Sequence, residues 1–439
     1  MKSGSFLILA LLPAVAAAAP PRVLSLEDAL RLAQAHQPQL RAARAQARAG
    51  AARVGEAVAG YLPRLDGTAQ LQRATANFAL SPSFTTSPFA NQLRVQNRLG
   101  FGATVSYYLY GVTLTQLIYD FGRTGGAVAQ ARAAADTSRA DLDTTLAAVA
   151  LNVRLAYFQV LAARELVRVG EDTVANQARH VRQIREFVRV GTRARIDLTS
   201  AELNLANAEL SLVQARNSVN LAKVNLLQAV GLEGGLDFDV VAPPASPAPE
   251  ESGRLGDLVQ EAVRRRPELA RAAAQIRLQQ GGRRAALSGY LPALVGYGSF
   301  SGSKVDRFDS TYNWYVALGL TWNLFGGLFT RRQVEEAEAG IEAAEAQREA
   351  TRLAVRQEIE TQLLAIGEAR QRQVVAERAV ASAQERLRLA EGRYRTGVGD
   401  IIELDDAQVT QANALAQRVQ AEYDLATARA RLRRAIGPQ

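Results

Sequence analysis

The sequence predicts a mixed membrane protein that carries very long helices and four bilayer-crossing strands, arranged as two copies of one unit. Three observations lead there: an internal repeat, two long stretches without proline, and two windows that hold most of the aromatic residues.

The repeat is decided first, because self-similarity along a chain fixes its architecture before any motif does. Leu26, Asp28, Ala33, Pro38, Leu40, Gly60, Tyr61, Leu62 and Pro63 recur, in identical spacing, as Leu255, Asp257, Ala262, Pro267, Leu269, Gly289, Tyr290, Leu291 and Pro292. Later segments align as well. Phe121 and Gly122 match Phe325 and Gly326, while Gly191, Ile196, Leu198, Ala201, Asn207 and Gly231 match Gly397, Ile402, Leu404, Ala407, Asn413 and Gly437. The expected repeats are residues 19–240 and 253–439, each reading helix, strand, loop, strand, very long helix, turn, helix. Residues 241–252 lie between them, with Pro243, Pro244, Pro247 and Pro249 among small and acidic residues, a composition that suits an extended linker.

No proline occurs between Pro88 and Pro243 or between Pro292 and Pro438, so nothing interrupts a helix there. Long helices are expected over about 123–190 and 331–396, and return helices over about 195–230 and 400–436. At about 1.5 Å per residue each long helix spans roughly 100 Å. An ordinary coiled coil is the alternative, but Val355, Ile359, Leu363, Leu364 and Ile366 spread over more than one stripe. Apolar contacts on two sides let a helix pack against neighbours left and right, as a barrel of helices requires.

The aromatic windows run from Phe78 to Phe121 and from Tyr290 to Phe329. In the second, Trp314, Val316, Leu318, Leu320, Trp322 and Leu324 alternate with Tyr315, Ala317, Gly319, Thr321 and Asn323. Trp314 and Trp322 stand about 26 Å apart along such a strand, or about 20 Å along the membrane normal after tilting, which matches a band between aromatic girdles. The first window behaves alike, with Tyr108, Tyr110, Val112, Leu114 and Ile118 alternating with Gly111, Thr113, Thr115 and Leu117. Tyr108, Tyr110, Trp314 and Trp322 are the candidate membrane-interface aromatics. Transmembrane helices over Leu99 to Tyr119 and Tyr312 to Thr330 compete by length. The period of two and the Gly, Thr, Asn and Tyr content favour strands, at about 62–78, 101–119, 291–303 and 312–325. Four strands cannot close, since an open edge in lipid leaves amides unpaired and the narrowest bilayer barrels need about eight strands. Copies must therefore join; two would supply eight strands and three would supply twelve.

The N-terminus reads as a secretion signal over residues 1–18, with Lys2 ahead of an apolar run from Phe6 to Val15 and small residues at Ala16 to Ala19. As a retained membrane anchor the run is too short, and no cysteine follows it to take a lipid. The chain has no cysteine and only His36 and His180, which removes thiol nucleophiles, thiolate metal sites and most catalytic inventories. A net charge of +9 suggests nucleic acid, but the arginines are interleaved with glutamates on helix faces, so no nucleic-acid partner is expected. No metal, cofactor or enzymatic activity is expected either.

The Tyr-Leu-Pro triplets at Tyr61 and Tyr290, the segment Ala156 to Leu161, the turn Val190-Gly191-Thr192-Arg193, and Gly397 through Ala407 together resemble the TolC family of outer-membrane efflux proteins. The resemblance covers essentially the whole mature chain. It implies a homotrimer, with a twelve-stranded β-barrel in outer-membrane lipid that continues as a long periplasmic α-helical barrel. It further implies a passive exit duct for small molecules such as drugs and toxic compounds. That duct would work with a periplasmic adaptor (membrane fusion protein) and an inner-membrane pump of the RND, ABC or MFS type. The outer-membrane component of a type I protein-secretion system would share these features. A trimeric coiled-coil adhesin is disfavoured by the two separated hairpins in a duplicated chain. A periplasmic enzyme is disfavoured because no metal-spaced histidines and no P-loop occur.

The resemblance also implies site residues. Glu403 and Asp406 match two pore-facing acids of the family, and at an i, i+3 spacing both share a helix face, so three chains would ring a constriction that favours cations. The alternative for Glu403 is a capping box behind Asp400, and for Asp406 the positive end of a helix dipole. Asp197 and Tyr394 match two members of a contact that holds the tip closed, but the arginine that completes it in the family is Gly399 here. Arg193 and Arg195 are the candidates to replace it. The alternatives are a helix-start carboxylate for Asp197 and a packed aromatic for Tyr394. The turns Val190, Gly191, Thr192, Arg193 and Thr396, Gly397, Val398, Gly399 would dock the adaptor, although glycine at a helix end is explained first by chain geometry.

Overall fold

The computed structural model describes residues 23–75, 104–243, 253–305 and 310–437. The signal segment, most of the linker and the loop between the first two strands lie outside the described residues.

The elements follow in the order β1 (Val23–Leu24), α1 (Leu26–His36), α2 (Pro38–Ala59), β2 (Arg64–Thr75), β3 (Thr104–Tyr119), α3 (Arg123–Arg189), α4 (Arg195–Val230), β4 (Asp239–Val240), α5 (Leu255–Arg265), α6 (Pro267–Leu287), β5 (Ala293–Val305), β6 (Thr311–Thr321), α7 (Phe329–Arg395) and α8 (Ile401–Ile436). The duplication holds element by element. Helices α3 and α7 each have 67 residues, and α4 and α8 each have 36, so the two halves were built to one length. The single leading helix expected in each half is in fact two. Gln37 and Arg266, the residues before Pro38 and Pro267, have ψ of 119° and 123°, the extended conformation that a following proline imposes.

Two compact units result. The first comprises Met1–Arg44, Asp141–Glu268 and Thr351–Gln439, and the second Ala45–Ala140 and Leu269–Ala350. The first unit has its main core where α1, α3 and α4 meet, around Leu40, Val153, Tyr157, Leu161, Leu226 and Phe238. By length and composition α3 passes for a membrane-crossing helix, but in this unit its apolar residues, Val149 to Ala163, build that core. Tyr157 is fully buried, and its hydroxyl lies 2.6 Å from the Val241 carbonyl and 2.9 Å from that of Leu24. The tyrosine thus clasps β1 and β4, which pair in parallel, and this accounts for the polar atom inside the Ala156 to Leu161 segment. The same unit holds an alternating ion network: Arg266, whose side chain is 4% exposed, bonds Glu358 at 2.6 Å, and Arg434 bonds both Glu358 and Glu268. Each buried charge has an opposite neighbour, which is the condition for tolerating burial.

The second unit contains a four-stranded antiparallel sheet in the order β2-β3-β5-β6, so β2 and β6 form its edges. Register explains its two faces. Val112 faces Phe300, which faces Trp314; Leu114 faces Gly298, which faces Val316; Leu65 and Leu71 join the same face from β2. The opposite face carries Asp66, Thr68, Thr113, Ser299, Ser301 and Asn313. The apolar side chains point away from the chain, with Trp314, Val316 and Leu318 more than 70% exposed. One glycine is required by this face: a Cβ at Gly302 would stand 2.5 Å from the ring of Tyr110. Strand β6 ends at Thr321, shorter than the expected 312–325, because its partner starts at Ala293 behind Pro292, which has no N–H to continue the ladder. Trp322 therefore falls just past the strand, where its indole N–H donates to the Tyr290 carbonyl at 3.0 Å.

Candidate functional site

The implied site residues gather at the two helix turns, 190–194 between α3 and α4 and 396–400 between α7 and α8, all within the first unit. Both long helices stop in the same way. Gly191 (φ 77°) and Gly397 (φ 83°) adopt the left-handed conformation that residues with a Cβ enter only at a cost. The amide of Thr192 returns to the Phe187 carbonyl at 2.9 Å, and that of Val398 to Arg393 at 3.1 Å, satisfying the last carbonyls of each helix. A Cβ at either glycine would meet no atom within 4 Å, so geometry of the chain rather than crowding selects glycine. Beside them Val190 and Val398 are 61% and 75% exposed, and the repeat-equivalent Ile196 and Ile402 are 68% and 65% exposed. Each turn thus presents a small apolar knob to its surroundings.

Tyr394 lies at the centre of what the turns bring together. Its side chain is buried (2% exposed) among Val181, Ile184, Ala201, Leu387, Ile401 and Leu404. The guanidinium of Arg193 stacks 4.3 Å from the centre of its ring and donates to its backbone carbonyl at 2.7 Å. Arg193 is the repeat equivalent of Gly399, so the cation that meets Tyr394 comes from the other half of the chain. Arg195 is exposed. An arginine at 399 has no room in this turn, since a Cβ there would lie 2.9 Å from the Arg393 Cβ.

The Tyr394 hydroxyl is buried and lies within reach of the Asp197 carboxylate. Burial holds its pKa above the usual phenol value, the negative charge of Asp197 adds to that, and the Arg193 guanidinium opposes it. Asp197 is thus close enough to Tyr394 to act on it electrostatically, and it also sits in the first turn of α4. Asp405, in the first turns of α8, lies nearby. Burial raises its pKa, against a bond from Asn204, with Asp406, Asp197 and Asp400 adding repulsion. One of its oxygens is buried without a partner.

Glu403 occupies the third position of α8 behind the N-cap Asp400, but the Asp400 side chain makes no cap bond. Glu403 Oε2 lies instead 3.4 Å from Arg393 Nε, with the carboxylate side chain 40% exposed. Asp406, one turn further, is exposed on the same helix face. Both acids are held on a rigid helix, while Leu404 and Ala407 face inward.

His180 and Gln177 were not singled out by the sequence. The imidazole of His180 packs edge-to-face on Tyr394 with centroids 5.8 Å apart, and burial pushes its pKa down. Only the rarity of histidine in this chain could have flagged it. Tyr108, Tyr110 and Trp314 lie on the apolar face of the sheet in the second unit.

Comparison with known proteins identifies the family and the fold. The family model for outer membrane efflux proteins matches residues 29–232 and 258–438, one match per half. The outer membrane protein TolC of Escherichia coli (strain K12) is 25% identical over 437 residues, 94% of this chain and 83% of that protein. Protein CyaE of Bordetella pertussis (strain Tohama I) is 26% identical over 408 residues, covering 90% of this chain and 81% of that one. Among solved structures, the Campylobacter jejuni CmeC outer membrane channel superposes with a TM-score of 0.78 at 19% identity, over 94% of this chain and 85% of that one. Each half of the duplicated chain matches the family model separately, and the chain is an outer-membrane channel protein belonging to the outer membrane efflux protein family.

Proposed function

We propose that three copies of this chain form one passive exit duct, with twelve strands closed in outer-membrane lipid and a helical portion in the periplasm. Small molecules would be driven through it by an inner-membrane pump acting through a periplasmic adaptor. The observation that carries the reading is the four-stranded sheet with one apolar face and two edges, since such a sheet in lipid demands further strands from other copies. A second feature supports it. On α4, Ile196, Leu203, Leu210, Val213, Leu221 and Val224 are each at least half exposed and recur along one side of the helix. Burying six such side chains against a neighbouring copy is worth on the order of 10 kcal/mol before the costs of association.

The tip is where the duct is proposed to be gated. Arg193, Tyr394 and Asp197 hold the two hairpins together, and Glu403 with Asp406 form the acidic constriction. The exposed turns 190–193 and 396–399 are the proposed adaptor-docking surface. The test uses the reconstituted protein in planar bilayers. Glu403→Ala with Asp406→Ala is expected to lower the cation preference of the pore while the particle keeps its trimeric mass in detergent. A wild-type particle that is monomeric, or an unchanged ion preference in the double variant, overturns the respective half of the reading. The efflux description of the family supports small molecules as cargo, and a secretion-defective strain rescued for a protein cargo alone would favour the type I alternative.

A further inference from the structure

Three buried polar atoms without a partner in this chain, Gln177 Oε1, His180 Nε2 and Gln408 Oε1, gather with the Tyr394 hydroxyl where α3, α7 and α8 meet. Their side chains line one cavity of about 480 Å³. Gln177, His180 and Tyr394 are 5%, 7% and 2% exposed, so these atoms are withdrawn from bulk water. A polar cavity of this size has room for water to meet them.

His180 and Arg193 meet on the same phenol ring, the first by its edge-to-face contact and the second by its stacked guanidinium. The charges facing the imidazole are unbalanced. Its own helix contributes Arg179, α7 contributes Arg388, Arg395 and the single acid Glu391, and α8 lines the cavity with uncharged Gln408 and Gln411. Arg388 is already paired with Glu385, and the carboxylates Asp197 and Asp405 act on Tyr394 from its other neighbours. Burial is the cause of the depressed pKa of His180, with no acid near enough to oppose it.

We propose that His180 is a proton-operated release for the Arg193–Tyr394 contact. Neutral, the imidazole packs on the ring and the hairpins stay joined. When a ring nitrogen takes up a proton, the chain holds a second cation beside a ring that already carries a guanidinium, in a cavity whose one carboxylate, Glu391, stands against Arg179, Arg388 and Arg395, and α3 separates from α7 and α8. The sign follows from linkage. The joined state favours neutral histidine, so it has its full strength above the ordinary histidine value of about 6.5 and weakens as pH falls below it. The joined-to-released ratio drops about tenfold for each pH unit until the depressed value is reached.

This inference rests on the reading of the tip as the gate, and the experiment separates the two. The intact protein is reconstituted in planar bilayers and its open probability followed from pH 7.5 to 5.5, a window chosen around about 6.5. The wild type is expected to open several-fold on acidification, His180→Gln to lose that rise, and Arg193→Ala to be more open already at the neutral end. His180→Asn serves as a second uncharged replacement should the glutamine variant fail to assemble. A wild type that does not respond, or a glutamine or asparagine variant with the full rise, overturns the role of His180. An Arg193→Ala channel with unchanged open probability overturns instead the gate on which it rests.

Discussion

Replacing Arg193 by alanine tests how much of the tip contact one side chain supplies. The structure gives two interactions to remove. The guanidinium 4.3 Å over the Tyr394 ring is worth about 1 kcal/mol for a half-exposed cation–π pair. The 2.7 Å bond from a charged donor to the Tyr394 carbonyl adds about 1–2 kcal/mol after discounting for the water that replaces it. The carbonyl also accepts from the Gly397 amide at 3.2 Å, so alanine leaves it satisfied and no desolvation penalty is added. The loss is then about 2–3 kcal/mol per chain, or roughly 30- to 150-fold in the joined-to-released equilibrium of each tip contact. Single-channel recording reads this as longer and more frequent openings at unchanged trimer yield. Arg193→Lys keeps the charge but loses planar stacking and is expected to lie between wild type and alanine. An alanine variant with the wild-type conductance and open probability refutes the assignment, because no other residue contacts both the ring face and the carbonyl among the described residues.

Two further substitutions probe the turns and the sheet. Gly397→Asp, or the same change at Gly191, costs about 1–2 kcal/mol in local backbone energy and places a charge beside the exposed Val398 or Val190. Export in cells is expected to be lost while the assembled particle remains in the membrane, as read by efflux assays beside native gels, and an unchanged export rate argues against docking there. Gly302→Val forces its side chain into the Tyr110 ring and is expected to lower the yield of assembled particle, with recovery in the Tyr110→Ala background. Full assembly of the single variant would show that the ring moves freely.

Much of the fold was legible because it is written in local periodicity. The absence of proline fixed where α3 and α7 run, the repeat fixed that their lengths agree, and alternation of two placed Trp314, Val316 and Leu318 on one face of β6. The glycine positions in the turns followed from helix ends alone. The breaks before Pro38 and Pro267 follow from proline's effect on the residue ahead of it, and the end of β6 depends on where β5 begins, which is a property of a pair and not of a strand.

What tertiary structure alone decided is which side chains from distant segments share one space. Arg193 and Tyr394 are separated by 201 residues, and only packing chooses Arg193 over Arg195 as the cation that meets the ring. The same holds for Tyr157, whose hydroxyl reaches Leu24 and Val241, and for His180, which looked like any polar residue on a helix until α7 and α8 closed over it. Periodicity records which face of an element is apolar. A polar atom acquires its partner, its lack of one, or its shifted proton affinity only when the elements pack, because those depend on what replaces water around it.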